Sequence, residues 1–232
     1  MITHHPSDEL LMEYAAGTTA EPVALVLAAH LSLCGTCRRE LARLEEIGAA
    51  FLDLAPPAPL DDGALAAVLD AIEAGAGASE DESRRASADG ATLDDETRRL
   101  LPRPVWPYLN GSLADLPWRG LGRSVRTLPI VATRRGPHKK ARASLLRLAP
   151  GAMVPAHTHR GSEYTLVLDG HIEDGAEKFV RGDLAVLDET THHTPKAGAD
   201  RECLCLTVLD APLRFGNPFV ELLYRALPGA RL

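Results

Sequence analysis

The chain has 232 residues, of which 45% are hydrophobic and only 4% aromatic, and its formal net charge is −7. This length suggests one or two domains with real hydrophobic cores, while the acidic balance argues against direct nucleic-acid binding, which needs clustered Lys and Arg. An Asp8-Glu9 pair stands where a secretory signal would have its basic and apolar regions, and no apolar run is long enough to span a bilayer. We therefore expect a cytoplasmic protein with no nucleic acid and no membrane as direct partner.

Four helices are predicted in the first 75 residues. Ser7 can cap the first, Pro22 suits the first turn of the second, and Pro56 stops the third. The fourth helix, over residues 61–74, is rich in Ala and has little core of its own nearby. Its large apolar residues have the i, i+3, i+4, i+7 spacing of a helix that either docks on a partner or closes an intramolecular bundle: Leu65, Val68, Leu69 and Ile72.

A His-x3-Cys-x2-Cys set lies between the second and third helices, formed by His30, Cys34 and Cys37. Two thiolates and an imidazole are ligands of tetrahedral zinc, and such a site needs a fourth ligand to close it. His5 is the best candidate for that ligand, with His4 as its near competitor. A redox pair or a disulfide is the alternative, but no βαβ pattern surrounds the cysteines. The set therefore predicts a structural zinc site in a small binding module.

Residues 76–102 are rich in Gly, Ala, Ser and acidic residues, and have few large apolar side chains. Such a segment cannot bury enough apolar surface to offset the entropy lost on ordering. We therefore predict a flexible acidic linker at 76–102. It would join an all-α domain over residues 1–75 to a second domain over residues 103–232.

The second domain is predicted to be all-β. Its apolar or alternating runs are short and are separated by turn signals such as Asp169-Gly170 and Asp174-Gly175. Several short strands at regular spacing are typical of a small barrel or jelly roll.

A second set of metal-ligand residues lies in this β region. His157 and His159 alternate along one strand and so point to the same side, and Glu163 can return to the same point. His193 comes from a later block, and we expect its neighbour His192 to be exposed. Three imidazoles and one carboxylate suit Zn, Fe, Mn, Cu or Ni, and the ligand set does not choose among them.

Cys203 and Cys205 stand at i and i+2 on a predicted strand, which places both thiols on one face. They are a possible redox pair, although the geometry within one strand is poor for a disulfide. The alternative is two small core residues, because free cysteine is commonly buried.

The pattern Gly151-x5-His157-x-His159-x3-Glu163-x6-Gly170 resembles the first cupin motif at every spacing. The second motif is weaker, because Asp188-Glu189-Thr190 replaces its usual Pro-x-Gly before the histidine. A cupin alone would also allow an enzyme, such as a metal-dependent, dioxygenase-like cupin with a zinc-stabilised docking domain.

The whole chain resembles the ChrR-type anti-sigma factors, through the two metal-ligand sets and through residues 4–11, 14–17 and 29–34. The resemblance implies a non-enzymatic protein whose N-terminal zinc-binding domain sequesters an extracytoplasmic-function (group IV) sigma factor, one to one. The fourth helix would insert its apolar face into that sigma factor. The cupin-like domain would be needed for the response to singlet oxygen or organic peroxide.

The resemblance also implies two metal sites. The first holds Zn²⁺, and the second holds a divalent metal that we expect to be Zn²⁺. The ligands carried across by motif are His5, His30, Cys34 and Cys37 for the first, and His157, His159, Glu163 and His193 for the second.

Overall fold

The computed structural model describes residues 1–75, 92–120, 124–132 and 141–216. Its helices are α1 (Asp8–Ala15), α2 (Glu21–Leu33), α3 (Gly35–Leu54), α4 (Ala64–Glu73) and α5 (Asp95–Leu100), followed by a 3-10 helix (Arg103–Tyr108). The Ser7 hydroxyl accepts a hydrogen bond from the Leu10 amide, as expected of an N-cap. Pro22 lies in the first turn of α2, so the predicted start of that helix is confirmed.

The strands are β1 (Arg119–Gly120), β2 (Val125–Ala132), β3 (Arg142–Leu148), β4 (His157–His159), β5 (Glu163–Asp169), β6 (His171–Asp174), β7 (Glu177–Val180), β8 (Leu184–Leu187), β9 (Lys196–Ala197), β10 (Cys203–Leu209) and β11 (Leu213–Phe215). One antiparallel sheet has the order β1-β2-β3-β10-β5-β8, and smaller sheets have the orders β7-β6-β9 and β11-β4. The predicted fold class, an all-α N-terminal part and a β-barrel of the cupin type, is confirmed.

Helix α2 packs against the outer face of the large sheet. Val26 and Leu27 are fully buried, in one core with Leu145 of β3, Leu166 of β5 and Leu206 of β10. Helix α2 is apolar on nearly every side, and such a helix is expected to be buried on more than one side. The helical part and the barrel therefore meet directly through α2.

The C-terminal part of the predicted linker is also ordered, since α5 lies within it. Leu93, Leu100 and Leu101 are buried in the same core as α2. The Arg181 guanidinium holds this segment by donating hydrogen bonds to the carbonyls of Leu100 and Arg99. Residues 93–101 are thus part of the folded protein and not a flexible linker, while residues 76–91 lie outside the described residues.

Helices α3 and α4 contribute almost nothing to the buried core. Helix α4 has no buried residue, and the only buried residue of α3 is Cys37. Within the described residues, no helix has the length and apolar character needed to span a membrane.

Candidate metal centres

The first predicted ligand set comes together at the junction of α2 and α3. His5, His30, Cys34 and Cys37 place one ligand atom each within 4.8 Å of one another. His5 Nδ1 lies 3.4 Å from Cys34 Sγ and 3.3 Å from Cys37 Sγ, and His30 Nε2 lies 3.3 Å from Cys37 Sγ. Zinc bonds of about 2.3 Å to sulfur and about 2.0 Å to nitrogen would separate neighbouring ligands by roughly 3.5 Å in a tetrahedron. The four residues fit that ion.

The local chemistry of this set also favours a cation. His30 Nδ1 lies 2.8 Å from the carbonyl oxygen of Gly182, which only accepts, so Nδ1 carries the proton and Nε2 presents its lone pair to the cluster. Burial lowers the pKa of His30, which keeps the ring neutral. Burial, together with neighbouring Cys34, raises the pKa of Cys37 to about 12. A bound cation would hold the buried Cys37 sulfur as a thiolate at neutral pH.

His4, the competing candidate for the fourth ligand, lies outside this cluster. Its Nε2 is 3.0 Å from a carboxylate oxygen of Glu177 on β7, and its ring stacks at 4.3 Å on Phe179. The geometry therefore favours His5 over His4.

The segment that carries His5, residues 2–5, is held by the barrel, and we call it the N-terminal strap. The buried carboxylate of Asp183 accepts hydrogen bonds from the amides of Thr3 (2.7 Å) and His4 (3.1 Å) through Oδ1, and from Val180 (2.8 Å) through Oδ2. The Leu184 amide donates to the His4 carbonyl at 3.1 Å. The turn between β7 and β8 thus positions two ligands of the first site, His5 through the strap and His30 through Gly182.

Sequence reasoning missed this support. The contact joins residues about 180 positions apart in the chain. Gly182 has a φ of +93°, and a Cβ there would lie 2.5 Å from Ile2 Cδ1 of the strap. The positive φ is a local signal for glycine, but nothing in the sequence shows which segment packs against it.

The second predicted set comes together at one end of the barrel. His157, His159, Glu163 and His193 also place their ligand atoms within 4.8 Å of one another. His157 and His193 exchange both backbone hydrogen bonds, at 3.1 Å each, although they are 36 residues apart. Exposed His192 stays outside the cluster, as expected from the sequence.

Each imidazole of the second set is fixed by its Nδ1. Those of His157 and His159 lie 2.9 Å and 3.3 Å from the carbonyl oxygens of Pro155 and Asp188. That of His193 lies 2.6 Å from the carboxylate of Asp174, at the end of β6. Because these oxygens only accept, every Nδ1 carries a proton and every Nε2 presents a lone pair. The sequence analysis identified Asp174 only as part of a turn.

The Nε2 lone pairs and the Glu163 carboxylate point at one another, and a bound cation would remove the repulsion between them. Nε2 of His157 lies 2.9 Å from Nε2 of His193, and Nε2 of His159 lies 2.8 Å from a carboxylate oxygen of Glu163. Neighbouring ligands of a metal with bonds of about 2.1 Å stand roughly 3.0–3.4 Å apart. Burial alone would raise the pKa of Glu163, but positive charge at His157 and His159 outweighs burial and lowers that pKa. A metal cation held by their Nε2 lone pairs would supply the same charge. Glu163 is therefore ionised and fits a metal ligand.

Cys203 and Cys205 are buried free thiols on the inner side of β10, and their sulfurs are 3.6 Å apart. The hydrogen bond to Cys203, together with burial, raises the pKa of Cys205 well above its ordinary value. These two residues are small core side chains in the folded protein, and the thiolate of Cys205 is disfavoured.

The apolar residues predicted to dock on a partner all lie at the surface. Leu65, Val68, Leu69 and Ile72 of α4 are between 50% (Leu69) and 72% (Leu65) exposed. The alternative of a closed intramolecular bundle is therefore not what the structure shows.

Comparisons with known proteins agree with this architecture. A family model described as the ChrR Cupin-like domain matches residues 110–212. The anti-sigma-E factor ChrR of Cereibacter sphaeroides is 38% identical over 216 residues, which cover 93% of each chain. A crystal structure of Rhodobacter sphaeroides SigE in complex with the anti-sigma ChrR matches with a TM-score of 0.72 and 36% identity, over 90% of this chain and 99% of that one. Identity at this level across nearly both whole chains shows that this chain belongs to the ChrR family of anti-sigma factors.

Proposed function

We propose that this protein is an anti-sigma factor that sequesters an extracytoplasmic-function (group IV) sigma factor in a one-to-one complex and so inhibits transcription initiation. The relative of known structure was crystallised as an anti-sigma factor in complex with SigE. Membership of this family places the chain among regulators of transcription and not among cupin enzymes.

The observation that carries the proposal is the exposed apolar face of α4, formed by Leu65, Val68, Leu69 and Ile72. The end of α3 and the segment after it add more exposed apolar side chains: Ile47, Phe51, Leu52, Leu54 and Leu60. Large apolar side chains exposed together along one helix face mark an interaction site. The i, i+3, i+4, i+7 spacing on α4 suits insertion of one helix face into an apolar groove of the sigma factor.

We propose that Zn²⁺ bound by His5, His30, Cys34 and Cys37 stabilises the start of α3. Its role there is structural, because four protein ligands close a tetrahedral site. This ion would join the strap to both helices, and α3 leads directly into the exposed surface. The barrel ligands His157, His159, Glu163 and His193 would hold a second divalent metal, which we also take to be Zn²⁺.

We further propose that an oxidative signal, singlet oxygen or an organic peroxide, ends the inhibition in the cytoplasm. The oxidisable groups are the sulfurs of the first metal site and the pair Cys203 and Cys205. A peroxide that takes two electrons and two protons from this pair would leave a disulfide, an alcohol and water. The 3.6 Å separation of the two sulfurs supports this step, while their burial opposes it. A double alanine variant with an unchanged oxidant response would eliminate the pair as the sensor.

The test of the proposed function is co-purification of the full-length protein with the group IV sigma factors of its source organism, each co-expressed with it under reducing conditions. The control is the His30→Ala/Cys34→Ala variant, with zinc content measured for both proteins. A sigma factor that is retained one to one by the wild type and lost with the zinc supports the proposal. Failure of the folded, zinc-loaded protein to retain any of them would contradict it.

A further inference from the structure

The barrel encloses a cavity of about 250 Å³ that opens on the second metal-ligand set. Strand pairing arranges its wall in levels. At the metal end, Leu209 pairs with Glu163 on one side and with Arg142 on the other, and all three line the cavity. One level further in, Thr207 pairs with Thr165 and with Ser144. Two residues along a strand separate adjacent levels, which is about 6.7 Å.

Most of the inner wall is apolar, from Leu146, Leu148, Val167 and Ile172. Against this background, four hydroxyl side chains line the cavity: Thr127, Ser144, Thr165 and Thr207. In a native protein, buried hydroxyls have hydrogen-bond partners, so the partners of these four groups are informative.

The hydroxyls of Thr165 and Thr207 form a hydrogen-bonded chain that ends on the metal-ligand residue Glu163. The Thr165 hydroxyl lies 2.9 Å from Oε1 of Glu163, and because a carboxylate only accepts, its one proton goes there. The Thr207 hydroxyl, 3.1 Å away, must then donate to Thr165. Both protons are used, and these two residues position Glu163.

The other two hydroxyls have no such partner. Ser144 Oγ and Thr127 Oγ1 are buried, at 5% and 0% residue exposure, and among the described residues neither has a hydrogen-bond partner. They are diagonal neighbours on β3 and β2, because Ser144 pairs with Pro129, two residues beyond Thr127. Diagonal neighbours lie about 7–8 Å apart, which leaves room for one oxygen between them.

We propose that this cavity binds a short-chain hydroxycarboxylate. Its carboxylate lies at the metal end, where a metal ion supplies positive charge and Arg142 contributes to the wall. Its hydroxyl, about 5–7 Å further in, accepts from one of Ser144 and Thr127 and donates to the other. Its carbon chain contacts the apolar wall. At about 30 Å³ per non-hydrogen atom, the cavity holds roughly eight or nine such atoms, the size of 5-hydroxyhexanoate. This inference goes beyond the proposed function and does not depend on sigma-factor binding.

The test is calorimetric titration of the full-length, metal-loaded protein with 5-hydroxyhexanoate and with hexanoate, which lacks only the hydroxyl. One buried hydrogen bond changes affinity by about fivefold, so we expect the hydroxylated probe to bind about fivefold to tenfold more tightly. In Ser144→Ala and in Thr127→Val this preference falls by about fivefold, while hexanoate binds as it does to the wild type.

Melting temperatures of the free proteins provide the control. Because the two hydroxyls have no partner among the described residues, neither substitution lowers the melting temperature, and a weakened preference then reports on the ligand and not on folding. Equal binding of the two probes by the wild type, a preference that survives in both variants, or no binding of either probe would each overturn the proposal.

Discussion

Replacing Asp183 with alanine removes the acceptor that holds the N-terminal strap on the barrel. Three backbone amides donate to this buried carboxylate at 2.7–3.1 Å: those of Thr3, His4 and Val180. A hydrogen bond to a charged group contributes about 1.5–3 kcal/mol. The total loss is smaller than three such terms, because the Thr3 and His4 amides regain water when the strap lifts. We expect Asp183→Ala to lower the free energy of unfolding by about 3–4 kcal/mol.

The assay is thermal unfolding of the full-length, zinc-loaded protein, combined with zinc transfer to a chelator. At about 2–4 °C per kcal/mol for a chain of this length, the melting temperature should fall by roughly 10 °C. Because His5 lies on the strap, zinc affinity should fall about tenfold or more. The matched control is Glu177→Gln, whose exposed carboxylate contacts only the His4 side chain of the strap and should change stability by less than about 0.5 kcal/mol. An Asp183→Ala protein that melts with the wild type and retains its zinc would refute this reasoning.

Three further predictions concern the supports of the two metal sites. Burial alone would raise the pKa of Asp183. The hydrogen bonds from the backbone amides have the larger effect, so the pKa of Asp183 in the folded protein lies below its ordinary value. The ionised Asp183 carboxylate therefore stabilises the fold at pH values above its unfolded pKa, about 3.9. This stability is lost as pH falls through the lower pKa of the folded state. We expect Asp183→Asn to make the melting temperature depend less on pH in this acidic range. Gly182→Ala, with a positive φ and a Cβ 2.5 Å from Ile2 Cδ1, should cost about 2–3 kcal/mol in denaturant unfolding. Asp174→Asn removes the charge that orients His193 and should weaken barrel-metal affinity about 10–100-fold by chelator competition, with the first site unchanged.

The ligand sets were predictable because their signals are local. His30 lies in the last turn of α2, Cys34 caps α3, and Cys37 lies in the first turn of α3. In the barrel, His157 and His159 lie on β4, and Glu163 begins the next strand. The structure brings both predicted sets together. The groups that orient these ligands, Asp174 and Gly182, are brought to them by barrel topology, and side chains of those types at turns carry no sequence signal of such a role.

The errors concern how the two parts meet. The average composition of residues 76–102 predicts a linker, but Leu93, Leu100 and Leu101, at the two ends of a short helix, are all buried in the core. The sequence pattern of α2 is consistent with a helix of a small zinc-bound domain. In the structure its apolar surface also packs against the large sheet of the barrel. Tertiary packing of this kind depends on which surfaces are complementary, and periodicity alone does not give that.

The central claim is that the exposed face of α4 binds the sigma factor. Val68→Arg places a charge in the middle of that face. The control, Ala67→Arg, places the same charge on the opposite side of the helix, at a position that is also exposed. The measurement is the dissociation constant of each variant for the co-purifying sigma factor. Since burying an unpaired charge at an interface costs several kcal/mol, we predict at least a 100-fold loss for Val68→Arg and less than about a threefold change for Ala67→Arg. Equal affinities of the two variants and the wild type would contradict the account.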